Sequence, residues 1–240
     1  MRQIMKLSWR QLGAQKILSY SLFLVATATC ITAIILSGLA KDKRLASLLP
    51  ATAAALPANI QYGLVFYNFE ILFLRAGTLL VEGFLAYYLI VDAWKNHNLM
   101  HWATYPLTRT QLYFGLFSAI LLLAGVPLVI IHSLAAGMLV SWLFIWASPA
   151  PLGIAGLSLQ LLTDGFFLLV GLLSSVLAFW KYQLSYVMVS ALLLCVILCN
   201  ASVYAQRVYP GGLWSVLSIL LLVTLLGVVG SLKHFTKQDL

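Results

Sequence analysis

The sequence predicts an all-α polytopic membrane protein with six transmembrane helices, an N-terminal interfacial helix and a short helix on the cytoplasmic face. Three observations predict it. First, 62% of the 240 residues are hydrophobic, 8% are charged and the mean hydropathy is +1.00. A soluble domain carries roughly 25% charged residues, so this chain has too few to solvate a surface. Second, apolar runs of bilayer-spanning length alternate with short polar stretches; about 20 residues of helix cross the hydrocarbon core. Third, the cations flank those runs rather than clustering on one segment, as the positive-inside rule requires. The net charge of +8 therefore encodes topology, and nucleic-acid binding is excluded as a reading.

Residues 1–16 read as an interfacial amphipathic helix. Arg2, Lys6 and Arg10 recur every four residues beside an apolar stripe of Met5, Trp9 and Leu12, a pattern that lies in the headgroup layer. The remaining 17–240 form a single transmembrane domain. The first span, 17–40, is too long for the apolar core of a cleaved signal peptide. Lys41-Asp42-Lys43-Arg44 and an Ala/Pro-rich stretch with Pro50 and Pro57 follow it; residues 45–65 can dip into the bilayer. The second span, 66–91, is the most polar. The third, 112–146, contains Pro127 and is too long for one straight crossing, so a long or kinked helix with an external re-entry is expected. The fourth is 157–180, the fifth 185–204 and the sixth 213–232.

With six spans both termini face the cytoplasm across the inner membrane. Arg2, Lys6, Arg10, Lys16, Lys95, Arg109, Lys181, Lys233 and Lys237 then share one side, nine of the fourteen cations. The trio Lys41, Lys43 and Arg44 falls on the other side, against the rule.

Catalytic signatures are missing. There is no GxxxxGK[ST] phosphate loop, no HExxH, no CxxC and no GxSxG in the sequence. The chain is not expected to be an enzyme, nor to bind a metal or cofactor itself. His97 and His101 share a helical face but read as interfacial polar residues. Cys195 and Cys199, four apart in an apolar run, read as small packing residues.

The segment between the second and third spans carries the most information. Trp94, Leu99, Met100 and Trp102 stand amid polar residues and suggest a short amphipathic helix across the membrane face. Pro106 stops it, and Thr108-Arg109-Thr110 opens the next helix with a hydroxyl cap.

Asp92, Asn98-Leu99 and Tyr105-Pro106-Leu107-Thr108-Arg109, followed by Gln111-Leu112 and Gly115, resemble the corresponding segment of the permeases of type-2 ABC exporters. In that family an acidic residue and a Gly-Thr-Leu-like turn precede a [Leu/Tyr]-Pro-[Leu/Val]-[Ser/Thr]-Arg motif. Asn98 stands where Gly-Thr is usual, and Asp92 where Glu is commoner. The resemblance implies a coupling helix at about 93–104 that docks on a separate ABC ATPase subunit. Asp92, Trp94, Leu99, Met100, Trp102, Pro106 and Arg109 would form the contact. It also implies a homodimer or pseudo-dimer of permeases, with ATP and Mg held by the partner.

The second span supplies the other candidate site. Ionisable side chains inside a bilayer are costly and mark functional seams. Arg75 and Glu82, two turns apart on one face, can both enter such a seam, with Glu70 nearer its outer edge. Gln160 and Asp164 in the fourth span can complete it. The expected role is a translocation path for a hydrophobic or amphipathic cargo. The alternatives are a secondary transporter or a non-transporting membrane accessory protein.

Overall fold

A computed structural model describes residues 34, 58–96, 108–146, 154–207 and 212–237. The interfacial helix 1–16 and nearly all of the span 17–40 lie outside the described residues. So do Leu99, Met100, Trp102 and Pro106.

Among the described residues there are five long helices: α1 (Ala58–Ala86), α2 (Arg109–Trp146), α3 (Ile154–Lys181), α4 (Leu184–Arg207) and α5 (Gly212–Lys237). All five are long and apolar enough to cross a membrane. Among the described residues there is no strand. The outward side chains are apolar, including Val129 and Ile130 of α2, Leu193 and Val196 of α4, and Leu225 and Leu226 of α5. Arg75, Glu82, His132 and Asp164 are buried. Polar inside and apolar outside is the distribution that hydrocarbon solvent demands.

The contacts fix the helix directions. Tyr67 meets Gln160, Arg75 meets Asp164, and Trp94 stacks on Tyr182. The partner numbers rise together, so α1 and α3 are parallel. Phe166 against Trp214 and Val176 against Gly227 make α5 parallel to α3. Tyr67 beside His132 sets α2 antiparallel to α1, and Tyr113 beside Phe235 sets it antiparallel to α5. Gly83 against Ala191 and Ala76 against Cys195 do the same for α4. Odd helices run one way and even helices the other.

Helix α1 differs from the expected span 66–91. Its described residues begin at Ala58, eight positions before the expected start. It then passes without a break through a π-helical stretch, Tyr87–Asp92, into an α-turn, Ala93–Lys95. Residues 93–95, expected to open a coupling helix at about 93–104, are helical and follow this stretch directly, and 97–104 lie outside the described residues. Asn96 caps the turn, its backbone N–H donating to the Asp92 carbonyl at 2.9 Å and its side-chain amide to the Asp92 carboxylate at 3.0 Å.

Helix α2 differs too. It is one uninterrupted helix of 38 residues, with no re-entry between 109 and 146. Pro127 deprives the Leu123 carbonyl of its usual donor yet does not end the helix, since packed neighbours hold such a segment in the helical path. Its start is a reciprocal capping box: the Gln111 N–H donates to Thr108 Oγ1 at 3.2 Å, and the Thr108 N–H to Gln111 Oε1 at 3.0 Å. The hydroxyl cap expected from the sequence is in place.

The end of the bundle formed by residues 95, 109, 181 and 237 is aromatic and basic. Tyr113, Phe117, Phe179 and Phe235 pack ring against ring. The Tyr113 hydroxyl reaches Ser231 Oγ at 2.5 Å and the Val228 carbonyl at 3.2 Å. Arg109 donates to the Thr236 carbonyl at 3.1 Å, filling an orphan acceptor at the C-terminus of α5. A two-residue turn, Tyr182-Gln183, reverses the chain between α3 and α4. Tyr182 adopts φ 47° and donates its N–H to the Ala178 carbonyl at 3.0 Å, ending α3 with a left-handed cap on a non-glycine residue. Its ring lies on Trp94, with centroids 4.3 Å apart and planes 17° from parallel. Burial pushes the Tyr182 phenol above its ordinary range.

Candidate functional site

At the opposite half of the bundle, α1, α2 and α3 bring five polar side chains into one buried cluster. Asp164 is its centre. One carboxylate oxygen accepts from Arg75 Nε at 2.6 Å, and the other pairs with His132 Nδ1. Arg75 also donates through Nη2 to the Gln160 carbonyl at 3.2 Å, and its guanidinium lies 5.3 Å from the centroid of the Phe167 ring. Tyr67 donates to Gln160 Oε1 at 2.5 Å, and His132 Nε2 stands 3.2 Å from both Tyr67 Oη and Gln160 Oε1.

Each helix contributes by its period. Gln160 and Asp164 are four apart on α3 and share a face. Tyr67 and Arg75 are eight apart on α1, slightly over two turns, so Tyr67 meets the Gln160 end and Arg75 the Asp164 end. His132 sits one turn beyond Leu128, which packs on α1 at Leu74. The parallel run of α1 and α3 holds a near-constant offset between partners, and that offset makes the cluster.

Arg75 and Asp164 offset each other's charge, so the pair avoids the cost of an isolated ion in hydrocarbon. Asp164 can only accept, so the proton between it and His132 belongs to Nδ1. The one Tyr67 hydroxyl proton goes to Gln160 Oε1, and Nε2 stands beside both of these oxygens. The cluster thus satisfies its polar atoms internally, as burial away from water requires. It offers one histidine and one carboxylate; among the described residues no group of three or more metal-ligating side chains forms.

Of the residues singled out in the sequence, Arg75, Gln160 and Asp164 are brought together. Glu70 is half-buried, one turn from Tyr67 on α1. Glu82 does not join them. It shares a face with Arg75, but seven residues of helix separate the two by about 10 Å. Its carboxyl lies instead against Gly171 of α3. Trp94 is engaged by Tyr182, Arg109 by Thr236, and Asp92 by Asn96. Tyr67 and His132 were not singled out. The signal for His132 was an imidazole in an otherwise apolar run, an ionisable group in a membrane segment. Tyr67 gave no signal. Cys195 packs as expected, its thiol donating to the Ala76 carbonyl at 3.0 Å.

The fold and this cluster define a helical, membrane-embedded protein with an ionic core. No protein-family profile matches the sequence, and neither the curated proteins nor the solved structures contain a significant match to it.

Proposed function

We propose that the chain is the transmembrane permease subunit of an ATP-driven exporter, forming the translocation path and coupled to a separate ABC ATPase subunit. The observation that carries this reading is the course of α1. A single helical path runs from Tyr67 and Arg75, in the buried ionic cluster, to Asp92, Trp94 and Asn96 at the other end of the bundle. That end leads into residues 97–107 and the Tyr105-Pro106-Leu107-Thr108-Arg109 motif. A partner pushing on this segment moves a rigid lever whose far end bears the cluster. The Trp94–Tyr182 stack and the Thr108–Gln111 capping box would pass the same push to α3 and α2.

Lys95, Arg109, Lys181, Lys233 and Lys237 gather at the motif end, which supports a cytoplasmic placement there, across the cell's inner membrane. ATP and Mg would sit on the partner. A second copy of the permease, or a related one, would complete the path. The apolar outer faces suit a hydrophobic or amphipathic cargo.

The test is co-purification. A tagged chain retains a stoichiometric ATPase, and the triple change Asp92→Ala, Leu99→Ala, Trp102→Ala releases it. Retention of the ATPase by the triple variant sinks the coupling assignment. Buried Glu82 favours a second reading, a proton-coupled secondary transporter. ATP-independent transport driven by a pH gradient in vesicles would establish it instead.

A further inference from the structure

Glu82 of α1 is a fully buried carboxyl. It is 0% exposed, and among the described residues neither Oε1 nor Oε2 has a hydrogen-bond partner. Its head occupies the space that a Cβ at position 171 would fill, so the absence of a side chain at Gly171 makes its seat. One turn further along the same face of α3, Ser175 Oγ is buried and also without a partner. Gly83, next in sequence, lets α4 close over this level: a Cβ there would lie 2.8 Å from Ala191 Cβ.

Among the described residues, no counter-ion is within reach on any helix packed against α1. Between Tyr113 and His132, α2 carries no titratable residue; between Asp164 and Lys181, α3 carries none. On α4 the first after Tyr186 is Cys195, whose thiol is spent on Ala76; on α5 there is none before Lys233. The apolar run 17–40 contains no Lys, Arg or His either. The charges of Arg75 and Asp164 are committed to each other about two turns away. A carboxylate in such a place has neither water nor a cation to solvate it, whereas a neutral acid needs only one acceptor for its proton.

We propose that Glu82 is a proton-binding site of the membrane interior, held as the neutral carboxylic acid while α1 and α3 are packed together. The proton leaves to water, and water reaches it only when α3 draws back from α1. Ionisation and separation of the two helices are therefore linked: each favours the other. This holds whatever the chain transports and does not rest on an ATPase partner.

The test is infrared spectroscopy of the full chain in lipid nanodiscs at neutral pH, with carboxyl-labelled carbon-13 glutamate. The chain has two glutamates, Glu70 and Glu82, so the isotope-shifted bands come from these alone. The expected result is a protonated-acid carbonyl band in the wild type that survives Glu70→Gln and is lost in Glu82→Gln. If Glu70→Gln protein shows only ionised carboxylate bands, the proposal is overturned. The wild-type and Glu70→Gln spectra decide the matter even if Glu82→Gln does not fold.

Discussion

Arg75 of α1 and Asp164 of α3 form a buried ion pair at 2.6 Å, and His132 of α2 takes the second carboxylate oxygen. One carboxylate thus ties three helices at a single level. Removing one member of a buried pair strands the other, which costs about 3–5 kcal/mol, far more than the pair's net worth. Asp164→Ala is therefore expected to lower the thermal midpoint in detergent sharply. The double variant Arg75→Met, Asp164→Leu should recover most of the loss. Equal midpoints for the single and double variants would show that Arg75 is solvated without Asp164.

The Glu82–Gly171 contact gives a second prediction. A methyl at 171 lands on the Glu82 carboxyl, and overpacking a tight interface costs about 1–3 kcal/mol. Gly171→Ala should destabilise the bundle by this much, while Glu82→Ala combined with Gly171→Ala should be the more stable of the two. Gly137→Ala is the control, because among the described residues a Cβ there meets nothing within 4 Å. Additive effects of the two changes in a double-mutant cycle would mean that the residues do not touch.

Tyr182 separates backbone strain from stacking. Its φ of 47° favours glycine, and its ring rests on Trp94. Tyr182→Ala keeps the strained φ and loses the stack, whereas Tyr182→Gly loses the stack but relieves the strain, a gain of about 1 kcal/mol. The order of thermal midpoints is expected to be wild type, then the Gly variant, then the Ala variant. An Ala variant as stable as the Gly variant would remove the left-handed cap from the account of this turn.

Much of the fold was legible because its causes are local. The spans from 66 onward were placed by apolar run length alone, and the Thr108 cap by hydroxyl position. The miss is the re-entry expected in the third span: a proline inside an over-long apolar run suggested an interruption, whereas Pro127 lies in one continuous helix held by its neighbours.

The sequence by itself determined that this chain lives in a bilayer and that Arg75, Glu82, Gln160 and Asp164 must be accommodated inside it, because hydrocarbon leaves polar and ionisable groups no other solvent. Which of them meet was decided only by the tertiary structure. The parallel offset of α1 and α3 gives Asp164 to Arg75, brings His132 in from α2, and leaves Glu82 against Gly171. Helical periodicity fixes the face on which a residue lies, whereas the register between helices is set by packing across the whole length of their contact.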